Sequence, residues 1–369
     1  MKNHENAATG LTQRIDSLQV IRAIAFSAIF VFHAIRTFPG SGKVYHYIST
    51  GPGPWGVSVF FVLSGFLMTY SYWNREPGSS LADMAGFSLK KIRKLYPLHL
   101  IMLCAGAVYA RKQGANPVNI FKYLTKTIPL LQTWFSVGYQ MINPVAWYLS
   151  VSLFLYFVFP LLLPVAKRGT AKESAGKILV VYLAQIVIGY CVPRYTSFEV
   201  KWITYCHPLY RMGDFIIGAL TASIFIKTVK SIHFSKLECS MLEWASVISN
   251  IAVCLFYSKV ADQAQWFAYT CFFIPTSILL VYAFALNNGM ISGRLKNSFI
   301  FWLAEISPYG FLIHRLVIYY FYDFTVEILH RRHLNYLVEI GVPFIFTVAG
   351  VYLYLIAVKM LAHRSPRTR

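Results

Sequence analysis

Acidic residues are scarce in this chain: 14 Asp and Glu occur among 369 residues, and charged residues of both signs make up 13%. Few of these carboxylates fall within apolar segments, so a catalytic site built on paired carboxylates has little support. The six Cys include no Cys-x-x-Cys pair and no His/Cys cluster at metal-ligand spacing. We therefore predict no metal site and interpret the cysteines as packing groups.

Long apolar runs make up most of the sequence, since apolar residues account for 57% of the chain. Runs of this length and composition predict membrane-spanning helices. The predicted fold is all-α, a polytopic membrane bundle of about ten transmembrane helices, at residues 18–38, 56–73, 95–110, 145–166, 178–193, 208–226, 242–258, 265–286, 299–322 and 335–358. We divide the chain into an N-terminal segment (1–17), a transmembrane domain (18–360) and a basic tail (361–369).

Residues 118–137 are semi-apolar but are interrupted by Lys122, Lys126 and Pro129. Such a segment is typical of an interfacial amphipathic helix or of a re-entrant stretch, and the sequence leaves both open.

A net charge of +20 in a soluble protein would suggest a nucleic-acid partner. Here most Lys and Arg lie in short connections between apolar runs, and more of them fall on the side that holds the N-terminus. The positive-inside rule then predicts that both termini are cytoplasmic. We expect membrane lipids as partners and no nucleic acid.

The first apolar run carries Arg22 and His33, which are eleven positions apart. Three helical turns separate them, so both side chains lie on one helix face about 16 Å apart. Ionisable residues inside a membrane commonly mark a functional site. The alternative, an arginine that snorkels to the headgroups and a histidine that contacts a neighbouring helix, is equally compatible with this segment.

Two further motifs lie in the second apolar run and just before the third. Ser64-Gly65 in the second run allows close approach of either a ligand or another helix. A cluster of cations precedes Tyr96-Pro97 and either binds phosphates or serves as a membrane anchor; it comprises Lys90, Lys91, Arg93 and Lys94.

In this order, Arg22 and His33, then Phe60-Phe61-x-x-Ser64-Gly65, then the basic cluster before Tyr96-Pro97 resemble the acyltransferase 3 family. These are membrane-bound acyltransferases of cell-surface saccharides and related acceptors. The family usually has two arginines before Tyr-Pro, where this chain has Lys91 and Lys94. Lysine is a point charge, so phosphate contact would persist with looser geometry.

Three later segments extend the resemblance over nearly the whole chain. The run from Trp147 through Ser150 resembles the family's Trp-x-Leu-Ser segment, and Ser152 stands where many members have Glu. Arg211 and Asp214 match an Arg-x-x-Glu/Asp step. Read from the residues alone, they are three apart on one helix and can neutralise each other. His314 ends a segment similar to Ser-Tyr-x-x-Tyr-Leu-x-His, with Pro308 replacing the first Tyr; it either lines the active cavity or contacts a helix.

The resemblance implies an acyl-CoA donor, usually acetyl-CoA, on the cytoplasmic face of a bacterial inner membrane. The acceptor would be a hydroxyl of a saccharide or its lipid-linked precursor. The expected catalytic residues are His33, as general base, and Arg22. Donor contacts are expected from Lys91, Arg93, Lys94, Ser64 and Gly65, and acceptor contacts from Trp147, Ser150, Arg211, Asp214 and His314.

Two other classes of function remain compatible with the residues: a transporter or flippase of a lipid-linked saccharide, and a receptor without turnover. The sequence shows no inverted repeat, which counts against a transporter. It does not identify the acceptor, the acyl length or the oligomeric state.

Overall fold

The computed structural model describes residues 14–364, except 139, 262, 264–266 and 268. This part of the chain is α-helical and contains no strand, which confirms the all-α prediction. Its helices are α1 (Ser17–Thr37), α2 (Gly42–Thr50), α3 (Pro52–Ser71), α4 (Leu81–Ile92), α5 (Tyr96–Lys112), α6 (Pro117–Thr127), α7 (Trp147–Lys167), α8 (Ala171–Tyr195), α9 (Pro208–Val229), α10 (Lys236–Val260), α11 (Ile274–Ala285), α12 (Met290–Leu295), α13 (Ser298–Glu327) and α14 (Tyr336–Arg364).

Seven helical segments in the described ranges are long and apolar enough to cross a membrane, so the chain is a polytopic membrane protein. They are α1, α2 with α3, α7, α8, α9, α10 and α14. The other three predicted spans appear as α5, which has 17 residues, α11, which has 12, and α13, which has 30.

The predicted span 265–286 includes residues 265, 266 and 268, which are not described, and the described helix within it is shorter than predicted. Its helix, α11, begins only at Ile274, and the described residues just before it form turns. Pro275 lies in the first turn of α11. Proline is tolerated there because the first N–H groups of a helix have no partner inside it, whereas deeper in a helix it removes a hydrogen bond.

Helix α1 lies in the interior of the bundle. In the most apolar stretch of α1, 61% of the residues are buried, compared with 11% in the corresponding stretch of α8 at the periphery. It packs on α3 and α13, and most of its side chains meet protein, with the exposed Ile24 as an exception. This central position is what brings Arg22 and His33 into contact with residues from distant parts of the chain.

The semi-apolar segment 118–137 forms a short helix followed by turns. Helix α6 covers Pro117–Thr127 and exposes the apolar side chains of Val118 and Phe121. After a turn, Gln132–Trp134 form a short 3-10 helix, in which Gln132 and Thr133 are buried. The exposed apolar side chains of α6 favour the interfacial reading for that helix.

Both terminal segments of the predicted domain division fall largely outside the described residues. Residues 1–13 and 365–369 are not described, so the N-terminal segment (1–17) and the basic tail (361–369) remain predictions. The cytoplasmic placement of the two termini also remains a prediction.

Candidate active site

Two histidines from opposite ends of the chain meet between α1 and α13. Nδ1 of His33 lies 2.8 Å from Nε2 of His314, and the two ring planes are nearly parallel, with an interplanar angle of 15°. His314 is fully buried, while His33 is half-buried. The sequence named both residues but gave no signal that they pair.

The contacts of His314 fix the direction of this hydrogen bond. Its Nδ1 lies 2.8 Å from the carbonyl oxygen of Phe311 and 3.2 Å from that of Gly310. Carbonyl oxygens only accept, so Nδ1 carries the proton, and in a neutral ring Nε2 is then an acceptor. His33 must donate its Nδ1–H to that acceptor. A neutral His33 consequently keeps an unprotonated Nε2, which is the form a general base needs.

Arg315 holds α1 and α13 together beside this pair. Its Nη1 donates to the backbone oxygen of His33 at 3.1 Å and to Oγ1 of Thr37 at 2.9 Å. Its guanidinium also lies 4.2 Å from the centre of the Tyr319 ring, a cation–π contact. Sequence reasoning missed Arg315, although a cation directly after His314 within an apolar helix was an available signal.

A cavity of about 230 Å³ lies further along α1, around Arg22. It brings together three residues that the sequence selected from separate motifs, Arg22, Ser64 and Lys91, and Ser152 also lines it. The structure adds Tyr148, Tyr156 and Ser307 to this wall, which sequence reasoning missed. Tyr148 and Tyr156 are eight positions apart on α7, a helical spacing that places them on one face.

Arg22 also reaches a second, more open recess of about 650 Å³ beside Arg14, Gln19 and Glu305. Its Nη1 donates to Oε1 of Gln19 at 3.2 Å. Arg22 therefore lies between the cavity and this recess, and its charge is available to an anionic group in either.

Aromatic side chains separate the cavity from the histidine pair. Phe311 lines the cavity, and its ring centre lies 5.7 Å from that of His314. Phe60 and Tyr148 pack against Phe311 with centroid distances of 6.4 and 5.3 Å. Neither histidine is among the cavity-lining residues. Contact between a ligand in this cavity and His33 thus requires movement of the aromatic side chains.

Three of the predicted donor-binding residues do not line the cavity. Arg93 and Lys94 are exposed, directly after the end of α4. Gly65 is buried against α9, where a Cβ would clash with the backbone of Phe215, and Gly218 on α9 is equally close to Val62 of α3. The two residues of the Ser64-Gly65 motif thus have different roles: Ser64 faces the cavity, and Gly65 allows the two helix backbones to touch.

The residues expected to contact the acceptor are mostly engaged in helix packing. Arg211 and Asp214 are fully buried and form an ion pair of 2.6 Å, as their spacing predicted. Nε of Arg211 donates to the backbone oxygen of Tyr205, and its guanidinium lies over the Phe61 ring. Gln185 donates to the other oxygen of Asp214 at 2.8 Å. This network ties α8 to α9.

Trp147 and Ser150 lie at the start of α7 and are also buried. The Trp147 ring packs against Tyr205, and the Ser150 hydroxyl donates to the backbone oxygen of Leu130 at 2.6 Å. Ser152, by contrast, lines the cavity and donates to the backbone oxygen of Tyr148. An acceptor role for Trp147, Ser150, Arg211 or Asp214 stays a prediction.

No group of three or more His, Cys, Asp or Glu able to hold a metal occurs within the described ranges. The candidate site consists of the histidine pair, in which a neutral His33 keeps a free lone pair, and of the Arg22 cavity, which Phe311 separates from the pair.

Comparisons with known proteins bear on the chemistry of this arrangement. A family model described as an acyltransferase domain matches residues 15–358. The acyltransferase MdmB of Streptomyces mycarofaciens is 26% identical, over 83% of this chain and 80% of its own length. A Staphylococcus aureus protein named as a putative O-acetyltransferase is 19% identical, over 85% of this chain and about half (52%) of its own length. No solved structure matches.

The family match extends from before Arg22 to well beyond His314, so it includes both histidines and the whole wall of the cavity. It confirms the resemblance seen in the sequence motifs and favours an enzyme over a transporter or receptor. This chain therefore belongs to the acyltransferase 3 family and is a membrane acyltransferase.

Proposed function

We propose that this enzyme transfers an acyl group from cytoplasmic acyl-CoA to a hydroxyl of a cell-surface saccharide or its lipid-linked precursor. The expected acyl group is acetyl. His33 is the general base, and the enzyme works in the inner membrane of a bacterium. The observation that carries the proposal is the hydrogen bond from His33 to His314, because it leaves Nε2 of a neutral His33 free to accept a proton.

The chemistry follows from that lone pair. Nε2 of His33 takes the proton of the acceptor hydroxyl while its oxygen attacks the thioester carbonyl, and the CoA thiolate leaves as the C–S bond breaks. The imidazolium that forms on His33 still donates Nδ1–H to His314, so the ring keeps its orientation through the step. His314 is a positioning residue, and its own proton is held by Phe311 and Gly310.

The donor is bound on the side of Arg22. Arg22 and Lys91 supply positive charge to the cavity, and Ser64 also lines its wall. Arg93 and Lys94, exposed next to Lys91, attract the phosphates of CoA while these are still hydrated. The thioester then advances along α1 past Phe311 toward His33.

The nature of the acyl group and of the acceptor is supported by similarity. The O-acetyltransferase named among the relatives favours acetyl transfer to oxygen. The family resemblance favours a saccharide acceptor, and the 25 Tyr, 29 Phe and 8 Trp provide stacking surfaces for sugar rings.

The test is acyl transfer from labelled acetyl-CoA by purified protein in lipid nanodiscs, with a panel of saccharide acceptors. His33→Ala should lower turnover by about 10²- to 10⁴-fold, the usual contribution of a general base. His46→Ala is the matched control, since His46 lies outside this site and contacts the backbone oxygen of Ser258. Turnover by His33→Ala equal to that of the native enzyme would exclude His33 as the base.

A further inference from the structure

Three cations face a surface recess of about 740 Å³ between the start of α10 and helix α12. Lys236 begins α10, Arg294 belongs to α12, and Lys296 follows it. Lys236 and Arg294 are exposed, and Lys296 donates to Oδ1 of Asn287 at 3.2 Å. The charge pattern predicts that all three lie on the cytoplasmic side of the membrane.

No Asp or Glu is among the described residues that line the recess, and the two acidic residues that follow Lys236 most closely in sequence are engaged in helix caps. Glu238 accepts from the backbone N–H and the hydroxyl of Ser235 in a capping box. Glu243 is fully buried and accepts from the backbone N–H groups of Ile291 and Ser292. The recess therefore keeps an excess of positive charge.

An apolar groove of about 580 Å³ lies beside this recess: on α10 the recess includes Ser240, and the groove starts about one helical turn later at Trp244. Its walls come from α1, α2, α3, α10, α11 and α12 and include Ala28, Trp244 and Val247. The Asn250 amide in this wall is fully engaged: it accepts from Nε1 of Trp55 and donates to the backbone oxygens of residues 246 and 276. Such a groove suits hydrocarbon, not water.

Recess and groove lie next to each other along two helices, although no described residue lines both. On α12, Met290 and Arg294 face the recess while the intervening Ile291 faces the groove. On α10, the groove runs from Trp244 to Leu255, eleven residues or about 16 Å along the axis, which is roughly the hydrocarbon depth of one leaflet.

We propose that the recess and groove form one binding site for an anionic phospholipid of the cytoplasmic leaflet. Its phosphate lies among Lys236, Arg294 and Lys296, and one acyl chain lies in the groove. Anionic lipids are concentrated in that leaflet, and basic pockets between transmembrane helices recognise their head groups.

A second apolar groove on the protein differs from the first in the charged residues that line it. It lies between α7, α8 and α9, and its only lysine, Lys177, donates to the backbone oxygens of Val165 and Arg168. It also contains Glu173. That groove has hydrocarbon walls but lacks an excess of cations, so it should accept lipid chains without regard to head-group charge.

The proposed lipid would pack against α1 on the face that does not carry the catalytic residues. Ile24 and Ala28 line the groove, and at 100° per residue they lie on the side of α1 opposite Arg22 and His33. Lipid binding at this site would thus support the helix that carries the catalytic residues.

Trp244 allows a direct test because it lies in the groove near the recess. The full chain is placed in nanodiscs of phosphatidylcholine that contain a small fraction of chain-brominated phosphatidylglycerol or, separately, of chain-brominated phosphatidylcholine. The fluorescence of Trp244 is taken as the difference from the Trp244→Phe variant. We expect quenching at a lower lipid fraction for phosphatidylglycerol, by about fivefold or more.

Two variants and one control decide the outcome. Replacing Lys236, Arg294 and Lys296 with Ala should remove the preference, and Val247→Phe, which fills the groove, should weaken quenching by both lipids. The control replaces Arg75, Arg168 and Lys172, three exposed cations predicted on the same membrane side, and should keep the preference. Equal quenching by the two lipids, loss of the preference in the control, or displacement of the lipid by inorganic phosphate would each overturn the proposal.

Discussion

Nδ1 of His33 on α1 and Nε2 of His314 on α13 lie 2.8 Å apart although 281 positions separate them in the chain. This contact fixes which nitrogen of His33 carries a proton, and it ties the first transmembrane helix to one near the C-terminus. The following predictions test what these two helices and their neighbours contribute.

His314→Ala should lower kcat by about tenfold, the kinetic equivalent of one hydrogen bond. Without an acceptor at Nε2 of His314, His33 is no longer held in the tautomer with a free Nε2. KM for acetyl-CoA should stay unchanged, because His314 does not line the donor cavity. His314→Gln, whose amide oxygen can accept from His33, should recover part of kcat; no difference between the two variants would contradict the positioning role.

Lys91→Ala should raise KM for acetyl-CoA by about tenfold or more, since a charge-assisted hydrogen bond contributes about 1.5–3 kcal/mol. Lys94→Ala should have a smaller effect because Lys94 is exposed and lies outside the cavity. Lys91→Arg tests charge alone and should preserve binding. Titration of each variant with CoA gives the affinities, and equal affinities for Lys91→Ala and the native enzyme would assign Lys91 to membrane anchoring.

Phe311→Leu should shift donor preference toward longer acyl groups. The Phe311 ring lies between the cavity and His314, and a smaller side chain widens the path by which a thioester reaches His33. The measurement is the ratio of kcat/KM for butyryl-CoA to that for acetyl-CoA, which should rise. A fall in both values with an unchanged ratio would mean that Phe311 supports packing and does not limit acyl length.

Gly65→Ala should destabilise the protein by several kcal/mol, because its Cβ would clash with the backbone of Phe215 and force α3 and α9 apart. Gly86→Ala on α4 is the matched control: nothing lies near its Cβ position, and alanine favours a helix by about 0.5–1 kcal/mol. Thermal unfolding in detergent, followed by size exclusion, should show a lower midpoint for Gly65→Ala only.

Much of the fold could be predicted from the sequence because membrane helices are specified by local composition. Ten apolar runs were predicted, and each corresponds to a helix in the described residues, although α11 begins late at Ile274. The separation of Arg22 and His33 along one helix face likewise follows from helical geometry alone. The family resemblance likewise depended on short motifs, each of which spans only a few neighbouring residues.

The sequence by itself determined that the chain spans a membrane with helices, that α1 carries an arginine and a histidine on one face, and that Arg211 and Asp214 are spaced so that they can pair. Only the tertiary structure decided that His33 donates to His314, that Phe311 stands between this pair and the Arg22 cavity, and that Gly65 serves packing while Ser64 faces the cavity. The physical reason is the distance along the sequence over which each kind of interaction acts. Helix formation and side-chain periodicity depend on neighbours within a few residues, whereas these contacts depend on how helices far apart in sequence pack against each other.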